Sequence, residues 1–180
     1  MAIGAFGIGT TESAVVGLLP QIAGDCGIAI PTAGGRRPAA RRGRRRFGCR
    51  VSGTLVLDRE GLSKLVRREP ELTEWLSAAE AEDIRVVMSS VTLVEARDPR
   101  VNQARFDDAV SRVNVIPPSE SIARHASRIL SAVGLPGHTY ALDALVAATA
   151  LASPAPVTVL TSDPEDLTML CGPGVAVVKV

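Results

Sequence analysis

The chain has 180 residues, 20 Lys and Arg against 19 Asp and Glu, and a formal net charge of +1, a length that admits one domain of ordinary size plus an extension. The near-neutral total hides two unlike parts: residues 1–51 hold eight Arg against Glu12 and Asp25, whereas residues 52–180 hold twelve Lys and Arg against seventeen Asp and Glu. An acidic globular part argues against a general, charge-driven nucleic-acid binder, and an aromatic content of 3% argues against base stacking as the mode of recognition. Neither excludes an enzyme that reaches nucleic acid through bound cations. Cys26, Cys49 and Cys171 form no CxxC pair, so free thiols in a reducing cytoplasm are expected rather than a zinc site or disulfide framework.

Residues 1–35 are apolar but interrupted at Thr10, Thr11, Glu12 and Ser13. They lack the basic leader of a secretory signal, and their apolar runs fall short of the roughly 18 residues of a spanning helix. In wording they resemble the first transmembrane segment of major-facilitator efflux transporters, where GTTE, GLLP and an IPTAG ending occur in this order; the likeness stops at Gly35. Residues 36–50 form an aperiodic Gly/Arg/Pro/Ala stretch that reads as disordered. Residues 1–51 are therefore expected to be an extension, disordered or a coding remnant, with a membrane or nucleic-acid tether as the competing reading. Residues 52–180 are expected to form the working domain, with no membrane partner.

From Val51 onward strands and helices alternate. TLVL at 54–57 is a short buried strand closed by Asp58, and residues 60–67 form an amphipathic helix with Leu62, Leu65 and Val66 inward. After Pro70 a second helix covers 71–82, with Leu72, Trp75, Leu76 and Ala79 facing the core. IRVVM at 84–88 is a second strand, residues 89–96 open a helix carrying Glu95, and 102–112 is a polar helix with Phe106 and Val110 inward. A third strand, 113–116, ends at two prolines, and Ser119 caps a helix running to Val133. The helix 139–153, a fourth strand VTVL at 157–160, a short helix 164–170 and a fifth strand VAVV at 175–178 complete the domain. This alternation predicts an α/β fold with a parallel sheet covered on both faces, and places the ligand site beyond the carboxyl ends of the strands.

That edge selects Asp58, Glu95 and Asp163. Asp143 joins them as the lone charge in TYALDALVAATALAS, on a helix apolar enough to be buried, where an unpaired carboxylate is costly and capping does not apply mid-helix; a buried pair with an Arg from elsewhere in the chain is its structural alternative. Singly, the others have structural explanations: Asp163 before Pro164 fits an N-cap, Ser162-x-x-Glu165 and Thr92-x-x-Glu95 fit capping boxes, and Asp58 starts a helix. Together they repel one another, which proteins tolerate mainly where a divalent cation neutralises them. Oxygen ligands alone suit Mg²⁺ or Mn²⁺, and phosphodiester hydrolysis is the matching chemistry.

The settings LVLD, SSVTLVEA, YALDALVAATAL and VTVLTSDPEDL resemble the acidic quartet of the PIN-domain nucleases, over essentially the whole of residues 54–180. The resemblance implies a three-layer domain with a five-stranded parallel sheet. It further implies a metal-dependent endoribonuclease in which Asp58, Glu95, Asp143 and Asp163 hold one or two Mg²⁺ or Mn²⁺ ions. Asp166 is an extra or alternative acid and Thr161 a supporting residue. Many bacterial members resemble VapC-type toxins, which implies an RNA substrate, a cognate antitoxin and a homodimer. One departure stands out: the family usually has Thr or Ser after the first Asp, followed by another small polar residue, and this chain has Arg59 and Glu60. A catalytically weak PIN-like module that binds RNA or a protein partner is the alternative. His125 and His138 read as surface residues, and Arg97, Arg100, Arg105 and Arg112 as a solvated face or an RNA track.

Overall fold

The computed structural model describes residues 52–180, so the expected extension, its transporter-like stretch, Cys26 and Cys49 lie outside the described residues. The elements are β1 (Thr54–Leu57), α1 (Arg59–Arg67), α2 (Pro70–Ala81), β2 (Arg85–Ser89), α3 (Ser90–Glu95), α4 (Gln103–Val110), β3 (Asn114–Ile116), α5 (Glu120–Val133), α6 (Gly137–Leu151), β4 (Val157–Thr161), α7 (Pro164–Cys171) and β5 (Ala176–Lys179). Each agrees with the sequence reading to within two residues at either end. Several ends have local causes: Ser119 Oγ accepts from Ile122 N at 3.3 Å to start α5, and Gly134 ends it at φ 71°, a left-handed conformation that glycine adopts without steric cost.

The five strands are all parallel in the order β3-β2-β1-β4-β5. Because strand side chains alternate between faces, Val56, Val87 and Val159 point one way, to Leu130 of α5, Ala144 and Ala147 of α6 and Leu167 of α7. Leu55, Leu57, Met88 and Leu160 point the other way, to Leu62 and Leu65 of α1, Leu72 of α2 and Phe106 of α4, with Trp75 packed half-buried against them. The result is a helix–sheet–helix sandwich, each fully buried Leu or Val contributing about 1.5–3 kcal/mol. His125 is half-buried rather than solvent-facing, whereas His138 is exposed. Cys171 is a buried free thiol whose pKa is pushed up to about 11 by desolvation, so it is no nucleophile at neutral pH. No single helix among the described residues is long and apolar enough to cross a membrane.

The strand order sets the location of the site. The chain runs outward from β1 to β2 and β3, then returns to the other side of β1 for β4 and β5. The reversal opens a crevice between the loops leaving β1 and β4, the position at which open α/β sheets bind ligands. At the opposite edge β1 is packed closely: a Cβ on Gly53 would lie 2.9 Å from the Pro156 carbonyl oxygen. Gly53→Ala is therefore expected to cost about 1–3 kcal/mol by forcing the backbones apart, seen as a lower urea midpoint; an unchanged midpoint would contradict this packing.

Candidate functional site

Each acid reaches the crevice by a different route. Asp58 follows β1 and is the N-cap of α1, its Oδ1 accepting from Gly61 N at 2.9 Å. The capping role expected for it is real, and the Thr161 hydroxyl and the Glu60 amide also favour its ionised form. Parallel pairing of Leu57 with both Met88 and Leu160, continued one step, sets Asp58 between Ser89 and Thr161. Thr161 is buried; its hydroxyl accepts from Asp163 N at 3.0 Å and also favours the ionised form of Asp58. It braces the loop between the two aspartates.

Glu95 is the last residue of α3, where the helix dipole disfavours a negative charge. Thr92 lies inside α3 and Ser89 is its N-cap, so Thr92-x-x-Glu95 is not a capping box. Asp163 occupies the N-cap of α7 as expected, but its side chain makes no cap hydrogen bond and is exposed, which removes its structural explanation. Ser162 precedes that cap, so the second capping box is absent too.

Asp143 corrects a sequence-level premise. Tyr140 has non-helical backbone angles (φ −106°, ψ 15°) inside α6, so Asp143 sits in the first turn after a kink and not mid-helix. Burial is confined to the second half of α6, from Ala144 onward, while Ala141 and Leu142 are exposed. The kink supplies amide groups at a helix start, and the Asp143 backbone amide indeed favours its charge. It does not suffice. Asp143 has no cationic partner among the described residues, and its pKa is raised by desolvation and by the charges of Asp166, Asp58 and Asp163, in that order. Glu95 is raised by desolvation and by Asp143 and Asp58, against a lowering effect of Arg59. Asp58 is raised by desolvation despite its hydrogen bonds. The structure therefore brings Asp58, Glu95, Asp143, Asp163 and Asp166 into one electrostatic neighbourhood, with Asp166 acting on Asp143 more strongly than Asp163 does.

The acids do not close into a cage: among the described residues no three His, Cys, Asp or Glu side chains converge tightly enough to hold an ion as they stand. The donor set nevertheless fits a hard divalent cation, being all oxygen and under-neutralised. Two further oxygens lie at the same edge, the hydroxyls of Ser89 and Thr92, fully buried and without a hydrogen-bond partner. Such orphaned groups are rare in folded proteins and mark places where water or a ligand belongs. Ser89 escaped the sequence reading; its position at the end of the VVMSS run, level with Asp58, was the available signal. The basic residues Arg97, Arg100, Arg105 and Arg112 are all exposed. Arg97 stacks over Phe106 with 5.6 Å to the ring centroid, and Arg112 pairs with Asp108 at 3.2 Å. Arg100 and Arg105 are exposed with neither an ion pair nor a ring contact among the described residues.

A parallel α/β sandwich with acids gathered at its switch point defines the class to which this domain belongs. The PIN domain family matches residues 55–167, more than half of the chain, and the chain belongs to that family. The match begins beyond residues 1–35, whose transporter likeness finds no support in it. No curated protein matches the chain. Similar solved structures include VapBC2 from Rickettsia felis bound to a promoter DNA fragment (19% identity over 71% of this chain and 98% of that one, TM-score 0.56). A toxin–antitoxin complex from Klebsiella pneumoniae is also similar (24%, 68% and 95%, TM-score 0.50), as is VapBC-1 from nontypeable Haemophilus influenzae (19%, 70% and 97%, TM-score 0.50).

The raised carboxyl pKa values carry a stability consequence. A folded state that holds protons more tightly than the unfolded chain loses stability as pH rises through the folded values and regains it on acidification. Removing one of these charges should then stabilise the metal-free protein at neutral pH. Asp143→Asn is expected to raise the melting temperature at pH 7 by about 2–4 °C, with the gap to the parent closing as the pH falls toward about 4. Thermal melts followed by circular dichroism check it; a lower melting temperature in the variant would contradict the repulsion.

Proposed function

We propose that residues 52–180 form a metal-dependent endoribonuclease, with Asp58, Glu95, Asp143 and Asp163 as the acid quartet, Asp166 as an additional acid and Thr161 as the brace between Asp58 and Asp163. The observation that carries this reading is the mutual field of Asp58, Glu95 and Asp143 at the switch point, uncompensated by any strong ion pair. Family membership supports the nuclease class, and the all-oxygen donor set supports Mg²⁺ or Mn²⁺. When bound there, the cation would supply Lewis-acid charge to a phosphodiester. The chain's own residues supply the rest. Asp58 offers a carboxylate held in place by Gly61 N. Asp143 projects from the first turn after the Tyr140 kink, and Glu95 approaches from α3. RNA is the substrate this reading assigns, in the cytoplasm.

The partners proposed are a cognate antitoxin and a second copy of the chain. The similarity to VapBC and toxin–antitoxin assemblies supports the first; the second rests on family expectation. Residues 1–51 are proposed to be dispensable. The alternative, a catalytically weak module that binds RNA or a protein, is favoured by one observation: Arg59 faces the site at 3.5 Å from Glu95.

The test is Mn²⁺-dependent cleavage of a mixed RNA substrate by the full chain and by residues 52–180. Cleavage by both is expected, abolished by EDTA and reduced at least about 100-fold in Asp58→Asn and Asp143→Asn, variants that keep side-chain volume. Cleavage that survives EDTA, or full activity in either variant, would refute the assignment. No cleavage together with a Mn²⁺-induced rise in melting temperature would favour the binding module.

A further inference from the structure

The two residues that replace the family's small polar positions do not behave alike. Glu60 is tied away from the crevice by Arg67, at 2.6 Å, within a surface network in which Arg67 also holds Glu69 at 2.7 Å and Lys64 holds Glu71 at 3.0 Å. Arg59 instead turns toward the acids, its Nε 3.5 Å from Glu95 Oε1. It begins α1 directly after Asp58, so one guanidinium lies beside two of the four proposed ligands. The contact is a single point, longer than a good charge-assisted hydrogen bond, and the Arg59 side chain is half exposed. Such a pair is weak and exchangeable. It is also the one cation among the described residues that an ion-pair contact brings to this acid set.

We propose that Arg59 is a built-in counter-cation that competes with the divalent ion for Glu95, so that metal binding releases the Arg59–Glu95 pair. This rests on the metal-site reading above and deepens it. A carboxylate oxygen facing a guanidinium cannot at the same moment face a divalent ion at bonding distance, and the fixed charge next to Asp58 repels an incoming cation. By linkage, whatever stabilises the metal-free arrangement weakens apparent metal affinity in proportion. The protein then requires a higher free metal concentration for occupancy than the same domain with a small residue at position 59.

Calorimetric titration of the full chain with Mn²⁺ alone tests this without any activity readout. Arg59→Ala is expected to bind Mn²⁺ roughly threefold to tenfold tighter at low ionic strength, with the gain shrinking in high salt. Arg59→Lys, which keeps the charge but loses the planar fork, should fall between the two. In a Glu95→Gln background the effect of Arg59→Ala should shrink to less than half, because the competition runs through that carboxylate. Equal affinity in Arg59→Ala and the parent, or weaker binding in the variant, would overturn the proposal while leaving the metal site standing. Absence of Mn²⁺ binding in both would overturn the metal site and this inference with it.

Discussion

Like charge held at one end of a parallel sheet is the constraint on which the rest of this domain depends. Two carboxylates several ångströms apart repel by on the order of 1–3 kcal/mol at the effective dielectric of a protein surface, and here three of them, Asp58, Glu95 and Asp143, act on one another in addition to being partly desolvated. The sandwich sustains this because its two apolar layers are built from fully buried side chains such as Val56, Leu57, Met88 and Val159. Those layers lie away from the crevice, so the stabilising contacts and the repelling ones occupy different parts of the molecule.

Position and orientation are set by different devices. Strand order places the loops after β1 and β4 on either side of the switch point, and that alone brings Asp58 near Asp163. Orientation is finer. Gly61 N fixes one oxygen of Asp58, the Thr161 hydroxyl holds the backbone of Asp163, and Asp143 sits in the first turn after the Tyr140 kink, ahead of the packed half of α6. Glu95 has no such anchor beyond its helix terminus, and it is the acid that Arg59 approaches. An acid held by no hydrogen bond among the described residues is thus the one that an internal counter-charge approaches.

Most of the architecture was legible in the residues because parallel strands buried on both faces are continuous apolar runs, as in TLVL and VTVL, bounded by Gly, Pro and Asp. The acids at the strand ends followed from the topology those runs imply. What was not legible depended on local backbone or on rotamers. The apolar stretch 139–153 carries no Pro or Gly near Tyr140, so nothing in its periodicity announced a kink, and Asp143 was read as mid-helix. The boxes Thr92-x-x-Glu95 and Ser162-x-x-Glu165 match a pattern that says nothing about which residue is the true cap; shifts of a few residues at α3 and of one at α7 void both. The departure at Arg59 and Glu60 was visible as a pair, but only the fold shows Glu60 turned to Arg67 and Arg59 turned to the site.

The central claim, that these acids are gathered for a cation, is tested most directly by anomalous diffraction from crystals of the protein grown with millimolar Mn²⁺. The account expects a manganese peak in the crevice bounded by Asp58 and Asp143, with Glu95 and Asp163 completing the oxygen shell and Arg59 drawn off Glu95. A crevice without such a peak, with Arg59 still seated on Glu95, would contradict it.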